Sequence, residues 1–229
     1  MRARRRFALI LGMMAAAAGG RPSRSLADVI AVSDFGVDDE GWRISGDSTS
    51  ATPTYVASGG NPGGYLRGFD QTVGNVWYWE APAKFLGDVG AAYGFGLTFD
   101  QRMRGSGPLF DDADVILEGA GLSLYLAVIS PLPRDVEWTT YGAGLTEAAG
   151  WRVGSLSGVL ATGAQIRAVL GDLRRLRIRG EFITGPDDGD LDNVVLTGRS
   201  AVVPEPSGLA LMGTGLVALS VVARRRGRA

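Results

Sequence analysis

Residues 114–128 read Asp-Val-Ile-Leu-Glu-Gly-Ala-Gly-Leu-Ser-Leu-Tyr-Leu-Ala-Val. Two apolar runs, 114–118 and 122–128, flank Gly119-Ala120-Gly121. Glycine allows the positive φ that a sharp reversal needs, so the stretch predicts a β-hairpin with a three-residue loop. The same pattern extends in both directions. Phe95, Leu97 and Phe99 alternate with Gly94, Gly96, Thr98 and Asp100, which predicts a half-buried strand. Residues 76–79 put Trp77 and Trp79 on one face and Val76 and Tyr78 on the other. Further strands are predicted at 42–45, 65–69, 136–141 and 192–197, with Ser58-Gly59-Gly60-Asn61-Pro62-Gly63-Gly64 as a tight loop and Gly185-Pro186-Asp187-Asp188-Gly189 as a turn.

One segment changes period. Thr162 and Gln165 have capping-box spacing, and Ile166, Val169, Leu170 and Leu173 follow at helical intervals. Immediately afterwards Leu176, Ile178 and Phe182 alternate with Arg175, Arg177, Arg179 and Glu181. This predicts a strand with one buried and one charged face, its arginines forming a solvated stripe. Short strands between Gly, Pro, Asn and Asp clusters define an all-β sandwich with one short amphipathic helix.

The two ends read as addresses. Arg2, Arg4, Arg5 and Arg6 precede an apolar run at 7–18, and Ser25-Leu26-Ala27 offers small residues to signal peptidase. Residues 1–27 are therefore expected to be a signal peptide cut after Ala27, or else near residues 18–20. At the other end come Pro204, Glu205 and Pro206, an uncharged run at 207–223, then Arg224, Arg225, Arg226 and Arg228. A helix over 207–223 would be roughly 26 Å long, close to the lower limit for crossing a bilayer, and the arginines favour the cytoplasmic side. The order Pro-Glu-Pro, apolar helix, terminal arginines resembles the PEP-CTERM sorting signal of Gram-negative bacteria that make exopolysaccharide. The resemblance implies a transient inner-membrane anchor, recognition by an exosortase, cleavage near Pro206, and release or attachment at the cell surface. An ordinary C-terminal anchor is the plainer reading.

The body, 28–203, holds thirteen basic and twenty-three acidic residues, a formal charge of −10. That argues against nucleic acid, whose phosphates need basic partners. There is no cysteine and no histidine, which excludes Ser-His-Asp and Cys-His catalysis and standard zinc sites. Lys84 is the single lysine.

Several blocks in the body occur in a recognisable order. They include Gly41-Trp42 with Ser45-Gly46-Asp47, Gly60-Asn61-Pro62-Gly63-Gly64-Tyr65-Leu66, Trp77-Tyr78-Trp79, Lys84-Phe85-Leu86-Gly87-Asp88, Asp114-Val115, Trp138, and Asp192-Asn193-Val194. Together they resemble the laminin IV (laminin B) domain. The resemblance implies a jelly-roll β-sandwich like many carbohydrate-binding modules. It brings no catalytic residues. The disulfide-rich modules that flank the domain in animal laminins are absent, so basement-membrane roles do not follow.

Four groups of residues are candidates for function. Trp77 and Trp79 are a sugar-stacking platform or, more plainly, core. Asp187, Asp188, Asp190 and Asp192 are a cation cluster or a solvated turn; an EF-hand is excluded by spacing. Asp111, Asp112 and Asp114, with Glu118, could supply the carboxylate pair of a glycan hydrolase or lyase. Asp34, Asp38 and Glu40, ahead of the first predicted strand, could meet Asp192 in a structural Ca²⁺ site joining the ends of the body. The expected function is that of an exported, surface-sorted, non-enzymatic β-sandwich that binds extracellular polysaccharide or contributes to its matrix. The alternative is the carboxylate-dependent hydrolase or lyase.

Overall fold

The computed structural model describes residues 27–200, apart from 49, 71–73, 131–132 and 134. The expected signal peptide and the sorting tail with its 207–223 helix lie outside the described residues, among which no helix is long and apolar enough to cross a membrane. In chain order the elements are β1 (Ala27–Ser33), β2 (Arg43–Gly46), β3 (Thr54–Gly60), β4 (Gly63–Asp70), β5 (Trp77–Glu80), β6 (Gly96–Gly105), β7 (Val115–Gly119), β8 (Leu122–Leu126), β9 (Asp135–Gly144), β10 (Arg152–Val153), α1 (Gly163–Gly171), β11 (Leu173–Arg179) and β12 (Asp187–Arg199).

The strands form two antiparallel six-stranded sheets. The first runs β3-β4-β12-β6-β9, with β1 also on β12; the second runs β10-β8-β7-β11-β5-β2. β12 organises the first sheet. Its first half pairs with β4, its second half with β1, and β6 follows its other edge. The first and last strands therefore lie side by side. The inner faces meet in one core holding Trp42, Trp77, Trp79, Phe85, Phe99, Met103, Trp151, Ile178, Phe182 and Leu191. α1 closes one end with Ile166, Val169 and Leu170 buried; Thr162 and Gln165 make the expected capping box.

The hairpin that announces the fold is tighter than expected. Gly119 pairs directly with Leu122, leaving a two-residue loop. Ala120 and Gly121 both have positive φ, 49° and 73°, as a type I′ turn demands. Three other expectations are corrected. Asp187, Asp188 and Gly189 belong to β12 rather than to a turn, because β4 and β6 pair with them on both sides. Asp34, Asp38 and Glu40 follow a strand, β1, that the sequence reading omits. The arginines of β11 are a solvated stripe only in part. Arg175 is exposed beside Glu118, Arg177 is half-buried against the same carboxylate, and Arg179 is fully buried.

Trp77 shows how the sheets are fitted together. Its ring lies where a Cβ on Gly68, Gly180 or Gly189 would stand, so two facing glycines of the first sheet and Gly180, which follows β11 of the second, make room for one indole. Gly180 has no positive-φ requirement, so substituting it tests packing alone. Gly180→Ala forces a methyl into the fixed Trp77 ring and is expected to destabilise by about 1–3 kcal/mol. Denaturant melts of the wild type and the variant measure it; equal midpoints would refute the fit.

Candidate functional site

The candidate site is the outer face of the first sheet. Side chains alternate along a strand. In β4, β12 and β6 the residues Leu66, Leu191, Phe99 and Met103 enter the core, and this turns Tyr65, Arg67, Asp190, Arg102 and Arg104 to the other side. Cross-strand register then sets them in rows. Arg67 is opposite Asp190, which is opposite Arg102; Phe69 is opposite Asp188, which is opposite Arg104.

Three guanidiniums converge on one carboxylate. Arg67 Nε donates to Asp190 Oδ1 at 2.8 Å, Arg102 Nε to Oδ2 at 2.7 Å, and Arg104 Nη2 lies 3.0 Å from Oδ2. The Asp190 side chain has no exposure, whereas those of Arg67, Arg102 and Arg104 are 23%, 11% and 32% exposed. Arg67 is held above its ordinary pKa, chiefly by the hydrogen bond to Asp190. The group is framed by rings. The Arg102 guanidinium carbon sits 4.3 Å from the Trp138 ring centre and 4.8 Å from that of Tyr65. Tyr65 and Trp138 meet edge to face at 5.5 Å. Trp138 is half-buried and donates through Nε1 to Gly59 O at 3.2 Å.

The adjoining part of the face is a neutralising network. Asp100 accepts from Asn61 Nδ2 at 3.0 Å, Asn193 Nδ2 at 2.8 Å and Thr140 Oγ1 at 2.5 Å. Asp192 accepts the backbone N–H of Asn61 at 2.5 Å and of Asn193 at 2.7 Å. Burial nevertheless pushes the Asp192 carboxyl up to about 6; the two N–H bonds oppose the shift, while Asp100 and Asp34 add to it.

The residues singled out from sequence are distributed differently. Trp77 and Trp79 have no exposure and pack edge to face at 4.9 Å inside the core; no ring face is open to a sugar. Asp192 and Asp34 are close enough for their charges to interact. Glu40 instead accepts the N–H groups of Asp34 and Phe35 and pairs with Lys84, and Asp38 accepts the Glu40 N–H. Among the described residues no group of three or more His, Cys, Asp or Glu side chains is arranged to hold a metal. Asp187 is buried apart from Asp190 and Asp192, facing the core beside Phe182.

The proposed carboxylate pair is also engaged. Asp114 faces Arg179 at 3.3 Å and accepts the N–H groups of Val128 and Ile129 at 2.6 and 2.8 Å. Burial raises its pKa, against those N–H bonds and the Arg179 charge. Glu118 pairs with Arg175 and Arg177. A cavity of about 540 Å³ opens beside Asp114 between Leu109–Asp111 and Ala127–Ser130. Asp111, 85% exposed, is its exposed carboxylate and lies 3.5 Å from Arg179 Nη1. Tyr65, Arg67, Arg102, Arg104 and Trp138 were not among the sequence candidates. Their period-two alternation with Leu66, Gly68 and Met103 is legible, but their meeting across three strands is not.

A two-sheet antiparallel sandwich of this kind belongs to the jelly-roll class. The Laminin B (Domain IV) family model matches residues 78–211, more than half of the chain, and the chain belongs to that family. A model of the PEP-CTERM protein-sorting motif matches residues 202–226; it marks an exported, surface-associated protein and implies processing by an exosortase. Laminin subunit gamma-2 of Homo sapiens is 37% identical over 138 residues, covering 57% of this chain and 11% of that protein. The chain thus spans about a tenth of that relative. Among solved structures, the L4b domain of human laminin alpha-2 superposes with a TM-score of 0.58 at 13% identity, covering 75% of this chain and 98% of that one. An exo-beta-agarase superposes at 0.50 and 12% identity, covering 78% of this chain and 26% of that one. At such identities these two likenesses concern the fold alone.

Proposed function

We propose that this exported, surface-sorted sandwich is a non-catalytic module that binds extracellular polysaccharide on the outer face of its first sheet. The observation that carries the reading is the half-buried Trp138, held on the sheet face by Arg102 and the buried Tyr65, beside a row of arginine N–H donors. A sugar ring offers an apolar C–H face to an aromatic surface and hydroxyls to donors around it, and this face supplies both on rigid strands. Sites on strands hold such groups more firmly than sites on loops. The absence of catalysis is supported by the engagement of Asp114 and Glu118 in ion pairs.

The test uses the full chain in detergent with exopolysaccharide extracted from the producing cells, measuring retention and new reducing ends together. Retention without new reducing ends is the expected result. Trp138→Ala should weaken retention about tenfold or more, since aromatic anchors dominate binding surfaces. Unchanged retention by that variant would move the site elsewhere. New reducing ends abolished by Asp111→Asn would establish the hydrolase reading instead.

A further inference from the structure

The charge arrangement on the same face identifies the class of polysaccharide; this step rests on the glycan-binding reading above. One buried carboxylate needs one guanidinium, and here three surround Asp190. Their placement in depth matters more than their number. Asp190 lies sealed at the bottom with no side-chain exposure, while Arg67, Arg102 and Arg104 keep partly open edges above it. An approaching ligand therefore meets the cations before it meets the anion. Asp188, opposite Arg104 in β12 and half-buried, is the one other acid in these rows. Within these two rows Arg67, Arg102 and Arg104 outnumber Asp188 and Asp190; Asp100 and Asp192, in the next row of the face, are taken up by amide and hydroxyl donors.

The donors are also available. Each guanidinium carries five N–H groups in a planar fork. Arg102 gives Asp190 its Nε and Arg104 gives it one Nη2, so both retain further N–H groups. Trp138 and Tyr65, edge to face with each other, lie against the Arg102 guanidinium at 4.3 and 4.8 Å and fix its position. A planar fork matches a carboxylate, which it can bind through two parallel hydrogen bonds. The body as a whole works against adventitious binding of a polyanion, because residues 28–203 carry a formal charge of −10.

We infer that the face takes an acidic polysaccharide, its sugar rings bearing carboxylates that bind the Arg67–Arg102–Arg104 group while a neighbouring ring lies on Trp138. Native gel electrophoresis of the full chain in detergent, through gels containing polygalacturonate, dextran sulfate or neutral dextran, tests it. The expected result is retardation by polygalacturonate that weakens as salt is added, with little retardation by dextran. Arg104→Gln should reduce the polygalacturonate effect about tenfold. It leaves Asp190 with two guanidiniums, so folding is expected to survive, and a thermal melt checks this. If that variant fails to fold, Arg104→Lys keeps the charge and removes the fork, and it should lose affinity while keeping most of the salt dependence. Equal retardation by dextran and polygalacturonate, unaffected by Arg104→Gln, would overturn this inference and leave the glycan-binding reading standing. Retardation by dextran sulfate alone would overturn the carboxylate specificity. Failure to bind all three polymers and the extracted exopolysaccharide would remove both readings.

Discussion

Arg179→Met is expected to destabilise the folded chain by about 3–5 kcal/mol, the range for breaking a buried ion pair from one side. The guanidinium has no exposure, and its ligands come from separate parts of the chain. Arg179 Nε donates to Glu181 O at 2.7 Å and Nη2 to Phe110 O at 2.6 Å; Nη1 faces Asp112 O at 3.4 Å and Asp114 Oδ1 at 3.3 Å. The plane lies 4.8 Å from the Phe110 ring centre and 4.5 Å from that of Phe182. Methionine fills much of the space but donates nothing. The Asp114 carboxylate would be left without its countercharge, and the Phe110 and Glu181 carbonyls without their guanidinium donors. The loss corresponds to a fall in Tm of about 10 °C, at roughly 2–4 °C per kcal/mol for a domain of this size. Urea melts measure it directly. Asp114→Asn added to Arg179→Met should recover part of the loss, because it removes the stranded charge, and the cycle isolates the coupling. A loss below about 1 kcal/mol would mean that Asp114 finds its compensation elsewhere.

Arg179 also shows where the sequence was legible and where it was not. The alternation of Leu176, Ile178 and Phe182 with arginines correctly marks β11, and the i, i+3, i+4 spacing of Ile166, Val169 and Leu170 marks α1. Both are local periodicities, set by one element's own geometry. Arg175, Arg177 and Arg179 look equivalent on that basis, yet Arg179 alone is fully buried, because Phe110 and Asp114 from the segment before β7 close over it. That closure is tertiary and leaves no periodic trace. The outer face of the first sheet follows the same logic. Asp190 in an Asp-rich stretch reads as a solvated turn until β4 and β6 bring Arg67 and Arg102 to either side of it. β1 escaped notice because its first residues are exposed and it pairs with the far end of the chain. Trp77 and Trp79 were correctly placed on one strand face; that this face is the core follows from the second sheet, not from the strand.

Stability should fall as pH rises from about 4 to 8, the reverse of ordinary acid denaturation. Asp70, Glu181 and Asp187 are 2%, 2% and 3% exposed. Burial pushes Glu181 up to about 8, with Asp70 and Asp187 adding repulsion and the Trp77 N–H opposing. Burial likewise pushes Asp187 up to about 7, opposed by the Phe182 N–H and reinforced by Asp70. Unfolded, these groups titrate near 4.5 and 3.8. Between those values and the folded ones, the folded chain holds more protons than the unfolded chain, so the slope of unfolding free energy against pH is negative. The contribution is intact below about pH 4, declines through the window, and levels off once Glu181 ionises in the fold. Asp114 and Asp192 are shifted in the same direction, so they add to the trend. Each titrating group changes stability by about 1.4 kcal/mol per pH unit. From pH 5 to pH 7 the combined loss should reach roughly 3 kcal/mol or more, on the order of 10 °C in Tm. Glu181→Gln keeps the shape, removes the ionisation, and should flatten the profile most between pH 6 and 8. A wild-type Tm that is level or rises from pH 5 to 8, or a Glu181→Gln profile parallel to it, would show that Glu181 and Asp187 ionise in the fold without penalty.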